Sequence, residues 1–315
     1  MILRTAVACL VVSGIICAIT GVLLSMYYVP LRDEVIDTSG MPLAIAEATA
    51  RPIVSARGDT LAGAGQRALV SRGSGQGTSY ARASVEVSIH NAWGGEVLRG
   101  LHRASTLVCV LGAFVALAVL AWHRQWIVKS LWIASVSSTL LGVVLAWTGL
   151  QLPDGEYAWA SHGVVLNAIS DNMAFGGLVD VAGGIGIGSV QPLARMYALH
   201  ALVMPLALAA CLVVLWRRSA FTLRLIDIGI AAFGVVLFSV VAGAEPTGEV
   251  AWYPFRIASH LQSMFGTELG SYLATAWLLA MFSMPWWHTY VRPITAVVIV
   301  LLGVVAVVFA AFIRV

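Results

Sequence analysis

Seven stretches of about twenty apolar residues each recur along this chain, near 5–28, 101–122, 129–150, 197–216, 223–243, 269–287 and 293–313. No other feature restricts the fold as strongly. At about 1.5 Å of rise per residue, a helix of roughly 20 apolar residues spans the hydrocarbon core of a bilayer. Inside lipid every backbone N–H and C=O must be satisfied within the segment, which leaves the helix as the structure for runs of this length. The composition agrees: 60% of the residues are hydrophobic and 10% charged, against about 25% charged in soluble domains. The expected fold class is an all-α integral membrane protein with about seven transmembrane helices. Counting domains by length does not apply to such a chain.

The first run carries Arg4 at its start, as an export signal would. No small-x-small cleavage site precedes a soluble chain, and the run ends in Met26-Tyr27-Tyr28-Val29-Pro30, an interfacial aromatic belt. It is expected to stay in place as a membrane helix. Orientation follows the basic residues of the short loops. His123, Arg124 and Lys129 follow the second run, Arg217, Arg218 and Arg224 the fourth, and His288 and Arg292 the sixth. With Arg4 they mark one side, read as the cytoplasmic side of a cell's inner (cytoplasmic) membrane. The N-terminus is then cytoplasmic and the C-terminus outside, with the long loops 29–98, 151–194 and 244–268. Small and polar residues dominate 54–83, so part of it is expected to be mobile or ordered by a partner. The glycines between Gly176 and Gly188 do not sit in a βαβ unit, so they are no dinucleotide cradle. Short amphipathic helices on the membrane surface suit 151–194 better.

Cys9, Cys17, Cys109 and Cys211 all lie in apolar runs without CxxC or CxxCH spacing. This predicts no disulfide framework, no zinc site and no covalently attached haem. The cysteines read as small buried hydrophobes. The histidines carry more. His102 stands in Arg99-Gly100-Leu101-His102-Arg103 and His200 in Arg195-Met196-Tyr197-Ala198-Leu199-His200. Each lies about one turn inside the outer end of its helix, where an ionisable ring is costly and marks function. Two neutral imidazoles facing each other across a bundle suit the axial positions of a haem iron. The bland alternative is a histidine bonded to neighbouring backbone or facing a water-filled cavity. Arg99 and Arg195 precede them within reach of haem propionates. Gly21 and Gly149 lie at the same level on the first and third runs, where a flat porphyrin needs close backbone approach.

Several segments carry a family resemblance. Thr20-Gly21 with Met26-Tyr27-Tyr28-Val29-Pro30, Leu98-Arg99-Gly100-Leu101-His102-Arg103 and Trp147-Thr148-Gly149-Leu150-Gln151-Leu152-Pro153-Asp154 are three of them. Leu193-Ala194-Arg195-Met196-Tyr197-Ala198-Leu199-His200 with Pro205, Trp252-Tyr253-Pro254-Phe255-Arg256 and Arg292-Pro293 complete the set. In this order the chain resembles cytochrome b of the cytochrome bc complexes, in the split form fused into one polypeptide. The resemblance implies a four-helix haem-binding part over 1–218, with an inserted outer loop at about 31–92, and a three-helix part over 219–315. It implies a b haem held by His102 and His200, with Gly21, Gly149, Arg99 and Arg195 around it.

The departures are informative. The family holds a second haem, its ligands and clearance glycines about four turns away on the same helices. Here those steps land on Ala116, on Val214 or Leu215, on Val7 and on Ser135. Four altered positions together predict a single, outer-side haem, with the inner space filled by side chains. His123 has no partner histidine and is not expected to bind iron. His90, His162 and His260 read as solvated loop histidines. The family's glutamate before Trp-Tyr is replaced by Val250-Ala251, leaving Glu249, with Glu245 as fallback, as the candidate quinol-proton acceptor. The short helix 163–172, with Asn167 and Asp171, would form the other wall of that pocket.

The expected function is a cytochrome b-like subunit of a quinone-linked respiratory or photosynthetic electron-transfer complex, without a full Q cycle. It would be part of a quinol/quinone oxidoreductase rather than an enzyme alone. The partners the resemblance implies are a Rieske protein, a multihaem cytochrome c or another redox subunit, with quinone or quinol, membrane lipid and room for a homodimer. No nucleic-acid partner is expected. The alternative is a non-catalytic membrane scaffold with structural haem or none. A transporter has little support, with no inverted repeats and few charges in the runs beyond Asp227 and Glu268.

Overall fold

The computed structural model describes residues 2–37, 41–47, 53–54, 60–62, 66–71, 77–154, 191–219, 224–243, 276–287 and 291–312. In chain order the elements are α1 (Ile2–Ser25), β1 (Leu43–Glu47), β2 (Ile53–Val54), β3 (Thr60–Ala62), β4 (Arg67–Ser71), α2 (Tyr80–Ala83), α3 (Gly95–Trp122) and α4 (Lys129–Gln151). There follow α5 (Gln191–Ala198), α6 (Met204–Ser219), α7 (Leu225–Gly243), α8 (Ala276–Trp286) and α9 (Pro293–Phe312). Four stretches are long and apolar enough to cross a bilayer: Thr5–Ser25, Gly95–Trp122, Lys129–Gln151 and Leu193–Arg218, the last running through α5 and α6. α7, α8 and α9 coincide with the fifth to seventh apolar runs. Their described apolar stretches, Leu225–Ser239, Ala276–Trp286 and Pro293–Leu302, are shorter.

α3 is the central element, with α1, α4, α7 and α9 packed on it. α1 runs antiparallel to it: Ala6 and Val7 meet Ala116, while Leu10 meets Cys109 and Ala113. α4 packs on α6, closing a four-helix arrangement. The main core sits toward the end rich in Arg124, Lys129 and Arg217. It gathers Phe114, Leu117, Leu120, Trp126, Trp132 and Leu215. Trp132 is fully buried, and its indole N–H donates to the Met281 carbonyl at 2.7 Å, fixing α4 against α8. Trp277 does the same for α9 through the Ile299 carbonyl, at 3.0 Å. A buried indole needs such an acceptor, so each tryptophan fixes a register as well as filling volume. Thr5 donates to Asp227 at 2.9 Å and ties α1 to α7. α3 passes to α4 through Arg124, whose φ of 55° lies in the left-handed region, and a single tight turn at Gln125–Ile127.

Two expectations need correction. The chain is mostly helical but not purely so: within 31–92, β1 pairs antiparallel with β4, from Leu43↔Ser71 to Glu47↔Arg67, and β2 pairs with β3. Of the described parts of 54–83, Val54, 60–62 and 67–71 lie in these strands and 80–83 in α2. Strands of five residues or fewer are too short for alternation to stand out in sequence. A wide helical turn over Ser84–Ile89 continues α2. It holds Glu86, which pairs with the buried Arg67 of β4 and, at 3.7 Å, with Arg99. Asn91 also accepts from the Arg67 N–H at 3.0 Å. The outer β unit is thus bonded to the start of α3. Secondly, α3 and α5 begin at Gly95 and Gln191, six residues before the apolar runs do. Glu96 and Arg99 on α3 and Arg195 on α5 make these leading residues polar, so a hydropathy window omits them. His102 therefore sits about two turns inside its helix rather than one. The expected helix 163–172 lies outside the described residues.

Candidate functional site

His102 and His200 meet. Their ring centroids are 6.0 Å apart and the planes are inclined at 70°. His102 stands on regular α3. His200 stands in a widened turn, Leu199–Val203, that joins α5 to α6. Pro205 explains the widening: it has no N–H for the carbonyl four residues back, and the helix relaxes into a longer repeat ahead of it.

Each imidazole is held from behind by the neighbouring helix. His102 Nδ1 lies 3.0 Å from the Cys17 carbonyl and 3.1 Å from Thr20 Oγ1, both on α1. His200 Nδ1 lies 3.1 Å from the Leu145 carbonyl and 3.1 Å from Thr148 Oγ1, both on α4. A carbonyl only accepts, so Nδ1 must carry the proton on each ring. Nε2 is then left as a lone-pair donor. The two threonine hydroxyls spend their own protons on carbonyls one turn back, Ile16 at 2.8 Å and Val144 at 2.9 Å. Their oxygens remain free to accept. The same device appears on both sides at the same spacing, Cys17-x-x-Thr20-Gly21 and Leu145-x-x-Thr148-Gly149.

The glycines act on the rings. A Cβ at Gly149 would come within 2.8 Å of His200 Cε1, and one at Gly21 within 3.1 Å of His102 Cε1. Each hydrogen lets an imidazole lie flat against the helix that holds it. The sequence reading gave Gly21 and Gly149 a porphyrin to clear; the contact the structure describes at each is with a histidine. It missed Thr20, Thr148 and the carbonyls of Cys17 and Leu145, although the repeated Thr-Gly pair is the signal that finds them.

This geometry fits an iron held between two imidazoles. Two metal–nitrogen bonds of about 2.0 Å, plus about 1 Å from each nitrogen to its ring centre, give about 6 Å. A backbone acceptor on the far nitrogen of each ligand is what a metal-bound histidine requires. Among the described residues no three His, Cys, Asp or Glu side chains cluster as a metal site, and all four cysteines are free thiols. Arg99 is engaged with carboxylates, Glu86 at 3.7 Å and Glu96 at 4.0 Å. Arg195 is exposed in the last turn of α5. His90 pairs with Glu96 at 2.9 Å, and His123 caps α3 on the exposed surface. Glu245, Glu249, Trp252–Arg256, His162, His260, His288 and Glu268 lie outside the described residues.

Above the pair, the ends of three helices are stapled together. Tyr28 Oη donates to the Leu152 carbonyl at 2.7 Å and its ring stacks on Tyr197 at 5.2 Å. Arg32 pairs with Asp154 at 3.1 Å. Burial, with Asp154 nearby, pushes the Tyr28 hydroxyl above the ordinary tyrosine range, so it stays a donor at neutral and mildly alkaline pH. The native state thus holds this proton more tightly than the unfolded chain. The resulting stabilisation is complete below the usual tyrosine value of about 10 and is lost as pH rises through and above it. Tyr28→Phe should cost about 1 kcal/mol, read as a lower thermal midpoint in detergent at pH 7. An unchanged midpoint would remove the staple from this account.

At the opposite end of the bundle, Val7, Ala116, Ser135 and Leu215 line a single cleft with Leu3, Leu10, Leu120 and Leu131. Fourteen residues separate this level from the histidines, about 21 Å along the helices. The void left there is about 10 Å³, room for no more than about one water.

No protein-family model matches the sequence, and no curated protein matches it. Among solved structures, a chain described as "Hyperthermophilic respiratory Complex III" superposes with a TM-score of 0.63 at 14% identity. The match covers 99% of this chain and 88% of that one. The likeness is one of fold.

Proposed function

We propose that this chain is a membrane subunit of a respiratory electron-transfer complex and carries one b haem between His102 and His200. The observation that carries the reading is the pair of imidazoles 6.0 Å apart with both Nδ1 atoms tied to carbonyls. The likeness of fold to a respiratory Complex III chain supports the setting. A bound haem would supply one-electron transfer. The chain's own part is to present two Nε2 lone pairs, keep both rings in one tautomer, and exclude water with the apolar helices around them. Arg195 and Arg99 stand near the same end as candidate propionate contacts, Arg99 by exchanging a carboxylate partner.

Val7, Ala116, Ser135 and Leu215 offer no iron ligand, and their cleft is nearly closed. We therefore read one haem per chain and no haem relay across the bilayer, so the chain does not run a full Q cycle. Its partners are other subunits of the complex, with a quinone as the membrane-soluble carrier. Pyridine haemochrome analysis of the purified chain should give one haem b per polypeptide. His102→Ala and His200→Ala should each abolish the bis-histidine spectrum. Two haems would refute the single-site reading, and none would favour a scaffold descended from the same fold.

A further inference from the structure

The two halves of the site share a carbonyl and a threonine behind Nδ1 and differ in the chemistry beside them. Beside His102, Ser105 and Thr106 both donate to its carbonyl, each at 2.9 Å. Cys17 Sγ lies 3.2 Å from Thr106 Oγ1 and 3.6 Å from His102 Nδ1. Thr106 spends its proton on the His102 carbonyl, so its oxygen accepts the Cys17 S–H. The sulfur lone pairs then face the Nδ1–H of the imidazole. At the equivalent places around His200 stand Leu145, Val203 and Met204, none of which offers a hydrogen-bonding hydrogen.

We propose that Cys17 and Thr106 are positioning residues that make His102 the stronger-donating of the two ligands and hold the iron toward its ferric state. This rests on the haem reading above. An acceptor facing the far N–H of a ligating imidazole raises the electron density on the nitrogen that binds iron. Ferric iron, with one more charge, gains more from that than ferrous iron does. Polar atoms beside the ligand favour the more highly charged state as well, whereas an apolar lining favours the less charged one. Both effects have the same sign, so the direction is set without weighing them against each other. His200 has the Leu145 carbonyl and Thr148 behind it, as His102 has the Cys17 carbonyl and Thr20, but Leu145, Val203 and Met204 add neither a thiol nor a hydroxyl.

The test uses the full-length chain with its haem, titrated redox-potentiometrically while the reduced visible band is followed, with ferric electron paramagnetic resonance beside it. Cys17→Leu gives the His102 half the residue found at position 145. It should retain one haem. At the potential where the wild type is half reduced, its ferrous-to-ferric ratio should rise about three- to tenfold. Cys17→Ser, which keeps a polar atom there, should return most of the shift, and its ferric g values should stay near wild type. Thr106→Val should shift the ratio in the same direction by less, and Leu145→Cys in the opposite direction. An unchanged ratio in Cys17→Leu and Thr106→Val, with haem retained, overturns the proposal and leaves the haem reading standing. A wild-type chain without haem overturns both. Should Cys17→Leu lose its haem, the ratio is read in Thr106→Val and Leu145→Cys, and no shift in that pair overturns the proposal.

Discussion

On the proposed one-haem reading, Gly149→Ala is expected to strip most of the haem from the purified chain, while Gly21→Ala keeps it. The added methyl at position 149 would sit 2.8 Å from His200 Cε1 and 3.5 Å from both ring nitrogens, an approach to Cε1 too short to stand. The ring cannot retreat along its plane, because Nδ1 is fixed by the Leu145 carbonyl and Thr148. Moving it away breaks those bonds and tilts Nε2 off the metal axis. Overpacking of this kind costs about 1–3 kcal/mol, or about ten- to a hundredfold in retention. At position 21 the approach is 3.1 Å to Cε1 and 3.5 Å to Nδ1 alone, which a displacement of a few tenths of an ångström relieves. Haem per polypeptide, measured beside far-ultraviolet circular dichroism, checks the pair. Equal retention in the two variants would show that the glycines do not act through the rings.

The second large effect is at the other end of the bundle. Val7→Gly, Ala116→His, Ser135→Gly and Leu215→His, made together, should raise the haem content from one to two per chain. The outer site supplies the plan. Its acceptor carbonyls stand four residues before each glycine, at Cys17 and Leu145. The same step from positions 7 and 135 reaches Leu3 and Leu131, which already line the cleft. What the inner end lacks is the hydroxyl, since Ala6 and Ala134 stand where the outer end has Thr20 and Thr148. Adding Ala6→Thr and Ala134→Thr should tighten the engineered site. Without haem the four-residue variant loses about 4–6 kcal/mol from two helical glycines and lost packing. Its thermal midpoint should then climb steeply on haem addition. A folded variant that stays at one haem would show that the inner cleft is not a filled ligand site.

The parts of this arrangement legible in sequence are those written as long repeats. Runs of about twenty apolar residues place α1, α3, α4 and the α5–α6 span because membrane helices have few alternatives. The histidines stand out because an ionisable ring among Leu, Val and Ala is rare. Gly21 and Gly149 were singled out by level alone, which carries no signal of their approach to the histidine rings. Thr20 and Thr148 were passed over, since a helical threonine bonded to its own preceding turn is common. The pairing of Arg99 with Glu86 was not legible, because Glu86 lies in a short wide turn with no sequence signature. The strands of 43–71 were missed because none exceeds five residues, too short for alternation to stand out.

The repeated Thr-Gly device divides the bundle in a way that bears on how it opens. α1 with α3 forms one finished half of the site, and α4 with α5 and α6 forms the other. No side chain holding one imidazole from behind comes from the opposite half. At the basic end the halves are locked by the dry core around Phe114, Leu117, Trp132 and Leu215 and joined through Arg124. The molecule is thus a pair of jaws with its pivot packed solid and its tips closed by the two imidazoles. Beyond the imidazoles the same halves are joined by Tyr28 with Leu152 and Tyr197 and by Arg32 with Asp154. A bulky flat ligand entering from that end has these few contacts to open, whereas the pivot is a packed core.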